Sequence, residues 1–143
     1  PQVVLHMKEA YQPRDWVPPE ALPTLQELRA SGYKVGLLSN RRSPCNDRVE
    51  ELGLDGCFDL VLTAGEVGAW KPEPRIFHEA LARLDADASH AAHIGDNYYT
   101  DVLGAQGAGL HPVLYDPGDV FPDAECIVIQ SLQGVLDLLD SMD

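Results

Sequence analysis

Residues 91–109 run Ala91-Ala92-His93-Ile94-Gly95-Asp96-Asn97-Tyr98-Tyr99-Thr100-Asp101-Val102-Leu103-Gly104-Ala105-Gln106-Gly107-Ala108-Gly109. The run Ala91 to Ile94 stops at Gly95-Asp96, and a helical stretch follows that ends near the glycines 107–109. A short run of this kind, without apolar–polar alternation, marks a strand buried on both faces, and a strand that feeds a helix is the repeating unit of a parallel sheet. Two carboxylates lie five residues apart, Asp96 where the strand ends and Asp101 near the start of the helix. Both can face the mouth of the sheet. Hard oxygen donors at a strand end suit Mg²⁺, which commonly takes one or two protein carboxylates and fills its shell with water and phosphate.

The same unit recurs on either side. Pro18 and Pro19 stand where a helix over 19–31 begins, Leu22, Leu25 and Leu28 follow at helical spacing, and Gly32 closes it. Tyr33 to Leu38 is a strand that ends in Ser39-Asn40, and Ser43 or Pro44 opens a helix that runs to Gly53. Phe58 to Thr63 is the next strand. Pro72 and Pro74 precede a helix carrying Ile76, Phe77, Ala80, Leu81 and Leu84. Strands at His111 to Tyr115 and Cys126 to Ile129 follow, then a helix from about Ser131 to Leu139. The expected fold is therefore α/β, a doubly wound, Rossmann-like parallel sheet with helices on both faces. Right-handed crossovers put every strand end that leads into a helix on one edge, which is where such sheets bind ligands. In residues 1–17, Val3, Val4, Met7 and Tyr11 suit a helical face while Val3, Leu5 and Met7 suit a strand; the expectation leans to a helix.

Composition narrows the classes. The 143 residues have room for one domain with a real core and exclude a second full one. Apolar stretches stay far short of the ~20 residues that cross a bilayer, so no membrane span is expected. Ten Lys and Arg against 23 Asp and Glu leave a net charge of −13, which repels nucleic acid and makes any phosphate site a local one. Cys45, Cys57 and Cys126 are odd in number and widely spaced, which suggests neither a zinc site nor a disulfide framework; a reducing, cytoplasmic setting is expected.

Three polar clusters converge on the strand-end edge. Ser39-Asn40, at the mouth of the following helix, offers a hydroxyl, an amide and outward N–H groups to an anion, although both residues also suit a plain turn and cap. Trp70-Lys71-Pro72-Glu73-Pro74 holds a lysine over that edge, although lysines are mostly solvated. Asp96 and Asp101 are the third. Arg41, Arg42 and Arg75 can reach a substrate anion, but solvated arginines beside helix starts are as common. His93 lies inside a strand, and the histidines show no ligand spacing. Tyr98 and Tyr99 either line the entrance or pack against the sheet.

The order Ser, Lys-Pro and Gly-Asp with a second Asp five residues on, each on its own strand end, resembles the haloacid dehalogenase superfamily of hydrolases. The likeness covers about residues 18–140 and rests on Leu37-Leu38-Ser39-Asn40, on Lys71-Pro72 with Pro74-Arg75-Ile76-Phe77, and on Ile94-Gly95-Asp96-Asn97 through Asp101 to Ala105. It implies that Ser39 and Asn40 bind the transferring phosphoryl oxygens and that Lys71 steadies them. It also implies that Asp96 ligates Mg²⁺, while Asp101 orients Lys71 or a metal-bound water. The implied activity is Mg²⁺-dependent hydrolysis of a small phosphorylated metabolite through an aspartyl-phosphate.

That family attacks phosphorus with an Asp-x-Asp motif on its first strand. Residues 1–17 hold only Asp15, with no apolar strand before it, and Asp85 and Asp87 have the spacing but sit at the wrong end of the sheet. The expectation is that residues 1–17 are the remnant of a cap or hinge segment, that 18–143 are the core with the cap mostly absent, and that the chain is inactive alone. The central slot of the sheet, left without its strand, would then be filled by residues 2–7, by exchange between two chains in a dimer, or by a separate N-terminal fragment. Three other functions compete. Carbon–halogen hydrolysis within the same family is disfavoured by Gly95-Asp96. A signalling receiver domain is rejected by chain order, since Lys71 precedes Asp96. A noncatalytic phosphate-binding or interaction domain remains open.

Overall fold

The computed structural model describes residues 2–5 and 17–142. Six strands, β1 (Gln2–Leu5), β2 (Val35–Ser39), β3 (Leu60–Thr63), β4 (Ala91–Gly95), β5 (His111–Tyr115) and β6 (Ile127–Ile129), form one sheet in the order β3-β2-β1-β4-β5-β6. Every neighbouring pair is parallel. The helices are α1 (Ala21–Ala30), α2 (Asn46–Glu51), α3 (Ala64–Val67), α4 (Pro74–Leu84), α5 (Leu103–Ala108) and α6 (Gly134–Met142). A 3₁₀ turn at Ala88–His90 leads into β4, and a π-turn at Tyr98–Val102 joins β4 to α5.

The expected α/β sandwich is what forms, and the reason lies in how each strand serves two cores. On β2, Val35 and Leu37 join the core beneath α1, α2 and α6, with Leu25, Leu28, Val49, Leu132, Val135 and Leu139. Leu38 turns to the opposite core, with Leu62, Ile76, Phe77, Leu81 and Leu84 beneath α3, α4 and α5. A strand flanked by two cores has no polar face, hence β2 and β4 are buried at every position. Phe77, one of the largest fully buried side chains, alone removes enough apolar surface from water to contribute about 1.5–3 kcal/mol.

Local signals set the helix ends. The N–H of Gly32 donates to Arg29 O and that of Tyr33 to Leu28 O, the paired bonds of a Schellman stop, and Gly32 adopts φ +89°, a left-handed conformation that costs glycine little. Pro74 occupies the first turn of α4, where its missing N–H loses nothing, and Ile76, Phe77, Ala80, Leu81 and Leu84 form its buried stripe. α3 is short and was not anticipated. It is started by a capping box in which Glu66 Oε2 accepts from both Thr63 N (2.9 Å) and Thr63 Oγ1 (2.8 Å).

Residues 2–5 correct one expectation. They form a strand, not a helix, with Val3 opposite both Val35 and Ala92 and Leu5 opposite both Leu37 and Ile94. A slot between two parallel strands presents two ladders of N–H and C=O groups that an extended segment satisfies and a helix does not. Of the three anticipated ways to fill the slot, this is the first, using residues 2–5; the helical reading of Met7 and Tyr11 falls outside the described residues. No helix among the described residues is long and apolar enough to cross a membrane. Sequence order along the sheet runs one way from β1 through β2 to β3 and the other way through β4 to β6. The crevice beyond the C-terminal ends of β1 and β4 is thus the topological switch point.

Candidate active site at the carboxyl edge of the sheet

The loop after β2 is shaped by a close approach. A Cβ at Gly65, in α3, would lie 1.6 Å from Arg42 O, and the Gly65 N–H donates to Arg41 O at 3.0 Å. Only glycine lets the two backbones meet there. Ser39, the buried last residue of β2, accepts a 3.3 Å bond from Arg41 N on its Oγ. Asn40 then clamps a distant segment: its Oδ1 accepts from Lys71 N (2.8 Å) and its Nδ2 donates to Lys71 O (3.2 Å). This two-point grip fixes the backbone from which Lys71 extends.

Lys71 is not solvated. Its side chain is 0% exposed and its ammonium donates to Asp101 Oδ1 (2.8 Å) and to Leu38 O (3.3 Å). Asp101, 1% exposed, takes two further bonds: His93 Nε2 lies 2.9 Å from the same Oδ1, and Asn97 N donates to Oδ2 at 3.1 Å. Burying an ion pair is tolerable only when further hydrogen bonds satisfy the partners, and here they come from β2, β4 and the π-turn. The turn itself is held by Asn97, whose Oδ1 accepts from Tyr99 N (3.0 Å) and Thr100 N (3.1 Å). Gly95 leaves the room Asp101 occupies, since a Cβ there would fall 2.2 Å from its Cγ.

Asp96 stands half-buried directly after β4. Burial pushes the Tyr115 hydroxyl up from its ordinary value, and the Glu20 and Asp96 carboxylates push it further, so the field at this end of β5 is negative. Among the described residues no three His, Cys, Asp or Glu side chains gather into a metal site. Among the described residues both oxygens of Asp101 accept bonds from Lys71, His93 and the turn, and Asp96 is the carboxylate at this strand end that could hold a cation. A one-carboxylate oxygen site completed by water and a phosphate is within the ordinary range for Mg²⁺.

The structure thus brings Asn40, Lys71 and Asp101 into direct contact and sets Ser39 and Asp96 at the ends of β2 and β4. Two expectations change. Ser39-Asn40 does not sit at a helix mouth, because α2 starts only at Asn46 with Cys45 as its N-cap. Arg75 turns aside and donates to Val67 O at 3.1 Å. Tyr98 and Tyr99 pack with Phe121, in the loop between β5 and β6, at centroid distances of 6.0 and 6.4 Å, and Tyr99 is exposed. The sequence marks His93 only as a buried strand residue, and the available signal for its role is a polar side chain in an apolar strand, two before the glycine that seats Asp101.

A family model for haloacid dehalogenase-like hydrolases matches residues 5–109. Haloacid dehalogenase-like hydrolase domain-containing protein 3 of Mus musculus is 44% identical over 91 residues, 64% of this chain and 36% of that protein. Ribulose-1,5-bisphosphate 5-phosphatase of Halopiger xanaduensis is 40% identical over 102 residues, 71% of this chain and 43% of that one. The chain spans less than half the length of either relative. Among solved structures, a 2-haloacid dehalogenase from Pseudomonas syringae superposes with a TM-score of 0.81 at 34% identity, over 91% of this chain and 56% of that one.

Proposed function

This chain belongs to the haloacid dehalogenase-like hydrolases, and we propose that it carries the phosphate-holding and metal-holding part of an Mg²⁺-dependent phosphate-ester hydrolase acting on a small phosphorylated metabolite. One observation carries this reading: a fully buried lysine, clamped through its backbone by Asn40 and through its ammonium by Asp101, at the switch point of the sheet. An ammonium held in place and shielded from water attracts a phosphoryl group far more strongly than a solvated one.

Ser39 Oγ and Lys71 Nζ bind the non-bridging oxygens of the phosphoryl group, and Asn40 keeps Lys71 in register with the loop after β2. Asp101 sets the direction of the ammonium, which is the first of the two roles implied for it. Asp96 holds Mg²⁺, which when bound neutralises phosphate charge. The chemistry of the family needs an Asp-x-Asp at the end of the central strand, and here that strand is Gln2-Val3-Val4-Leu5, with no aspartate before Asp15. These 143 residues therefore bind phosphate without turning over an ester, and hydrolysis requires an Asp-x-Asp segment that they do not contain. The Halopiger relative is a phosphatase, which supports a phosphate ester as substrate; the Pseudomonas structure is a dehalogenase, which favours carbon–halogen hydrolysis as the second reading, one that does not use a metal on Asp96.

Thermal unfolding with Mg²⁺ and inorganic phosphate tests the proposal. A ligand at ten times its Kd stabilises by about 1.4 kcal/mol, a shift of several degrees. The shift is expected in the wild type and not in Lys71→Ala or Asp96→Ala. Equal shifts in all three proteins refute the site. Turnover of an aryl phosphate by the 143-residue chain alone refutes the assignment of the missing nucleophile, and phosphate binding with no dependence on Mg²⁺ or Asp96 favours the second reading.

A further inference from the structure

We propose that His93 is a positioning residue of this site: a ring that carries a proton on Nε2 and whose bond to Asp101 aims the Lys71 ammonium. Its link to phosphate rests on the function proposed above; its link to Lys71 does not. Two groups converge on one oxygen, since Lys71 Nζ lies 2.8 Å and His93 Nε2 2.9 Å from Asp101 Oδ1. An ammonium has only donors, so Oδ1 is an acceptor. A bare Nε2 would turn its lone pair on the same oxygen; the N–H must therefore be on Nε2. The ring has no exposed surface, and it meets Phe77 edge to face, with centroids 5.0 Å apart at 89°.

The geometric consequence follows from the torsions involved. A carboxylate turns easily about its last bond, and lysine has four rotatable bonds, so neither fixes the other. Among the described residues Asp101 is held by donors from three parts of the chain: Lys71 before α4, His93 in β4 and the N–H of Asn97, the residue before the π-turn. Of these only His93 is both rigid and on a strand, and β4 is bonded on both sides, to β1 and to β5. His93 therefore transmits the fixed frame of the sheet to the ammonium through Asp101, and a change at His93 leaves Lys71 charged and buried but differently aimed.

Two variants separate aim from packing. His93→Gln places an amide N–H near the position of Nε2, and His93→Phe keeps a flat ring against Phe77 without a donor. In the wild type, long-range ¹H–¹⁵N spectra should show protonated Nε2. The ζ-ammonium resonance of Lys71 should be protected from solvent exchange in the wild type and His93→Gln and lost in His93→Phe. The Kd for inorganic phosphate should rise about tenfold in His93→Phe, the loss of one charge-assisted hydrogen bond, and stay within about twofold in His93→Gln. A bare Nε2, or a folded His93→Phe that keeps both the protected ammonium and the wild-type Kd, overturns the proposal. If His93→Phe does not fold, the wild-type tautomer and the ammonium of His93→Gln decide it. If the wild type does not bind phosphate, the function proposed above fails while the tautomer and ammonium still settle the role of His93.

Discussion

Gly95→Ala should damage this protein out of proportion to one methyl group. The added Cβ would lie 2.2 Å from Cγ and 2.4 Å from both Cβ and Oδ2 of Asp101, so that side chain must retreat by more than an ångström to reach ordinary contact. A solvated aspartate would swing away. This one is held by bonds of 2.8 Å to Lys71, 2.9 Å to His93 and 3.1 Å to Asn97 N, and retreat breaks at least one of them. Overpacking costs about 1–3 kcal/mol and a lost hydrogen bond to a charged group about 1.5–3 kcal/mol, giving about 3–5 kcal/mol together. In a domain of this size that lowers Tm by roughly 10–15 °C. Gly107→Ala is the matched control: it lies in α5, a Cβ there meets nothing within 4 Å, and alanine should add up to about 1 kcal/mol. Urea denaturation of both variants with calorimetric Tm provides the comparison. A Gly95→Ala protein within about 0.5 kcal/mol of the wild type would show that Asp101 is not pinned as described.

Further outcomes follow from the same geometry. Lys71→Met leaves a buried carboxylate without its cation and should destabilise by about 3–5 kcal/mol in urea, whereas Lys71→Met with Asp101→Leu should recover part of that loss; additive losses would refute the coupling. Asp96→Asn should abolish the heat of Mg²⁺ binding in titration calorimetry, and an unchanged isotherm would remove Asp96 as the ligand. Burial pushes the Cys57 thiol up, helped by Asp55 and opposed by Arg29, and burial also raises Cys126 and the Tyr115 hydroxyl. The native state thus keeps protons that the unfolded chain gives up. Stability is expected to be full below about pH 8.5 and to fall as pH rises through the thiol and phenol range. Cys57→Ala should flatten the first part of that decline in urea midpoints measured against pH.

Much of this site is written in local signals. Apolar runs that end in Ser39, Asp96 or Tyr115 announce buried parallel strands, and parallel strands fix where their ends must gather. The burial of Lys71 is different. It depends on the Asn40 clamp and on a carboxylate 30 residues later, and nothing near Lys71 in sequence reports either. α3 escaped notice because its four residues are too few for a period to show; its only mark is Thr63 three before Glu66. Residues 2–5 were ambiguous because Val3 and Val4 fit either period, and what decides them is a pair of ladders supplied by β2 and β4. His93 was legible as buried, and its purpose was not, since the partner that explains it arrives only with the turn after Gly95.

The strand order also governs how the molecule can assemble itself. β1 comes earliest in the sequence and ends in the middle of the sheet, so its two neighbours come from widely separated stretches of chain, Val35 to Leu37 on one side and Ala91 to Ile94 on the other. Units β2–α2–β3 and β4–α5–β5 can each close over short loops. Joining them requires β1 between them, a non-local pairing with a large loop to close. A chain in which β1 is out of place would leave β2 and β4 each with a bare edge of the kind that pairs with other chains. Changes to the backbone at Val3 and Val4, proline above all, should therefore reduce the yield of refolding at high protein concentration more steeply than at high dilution.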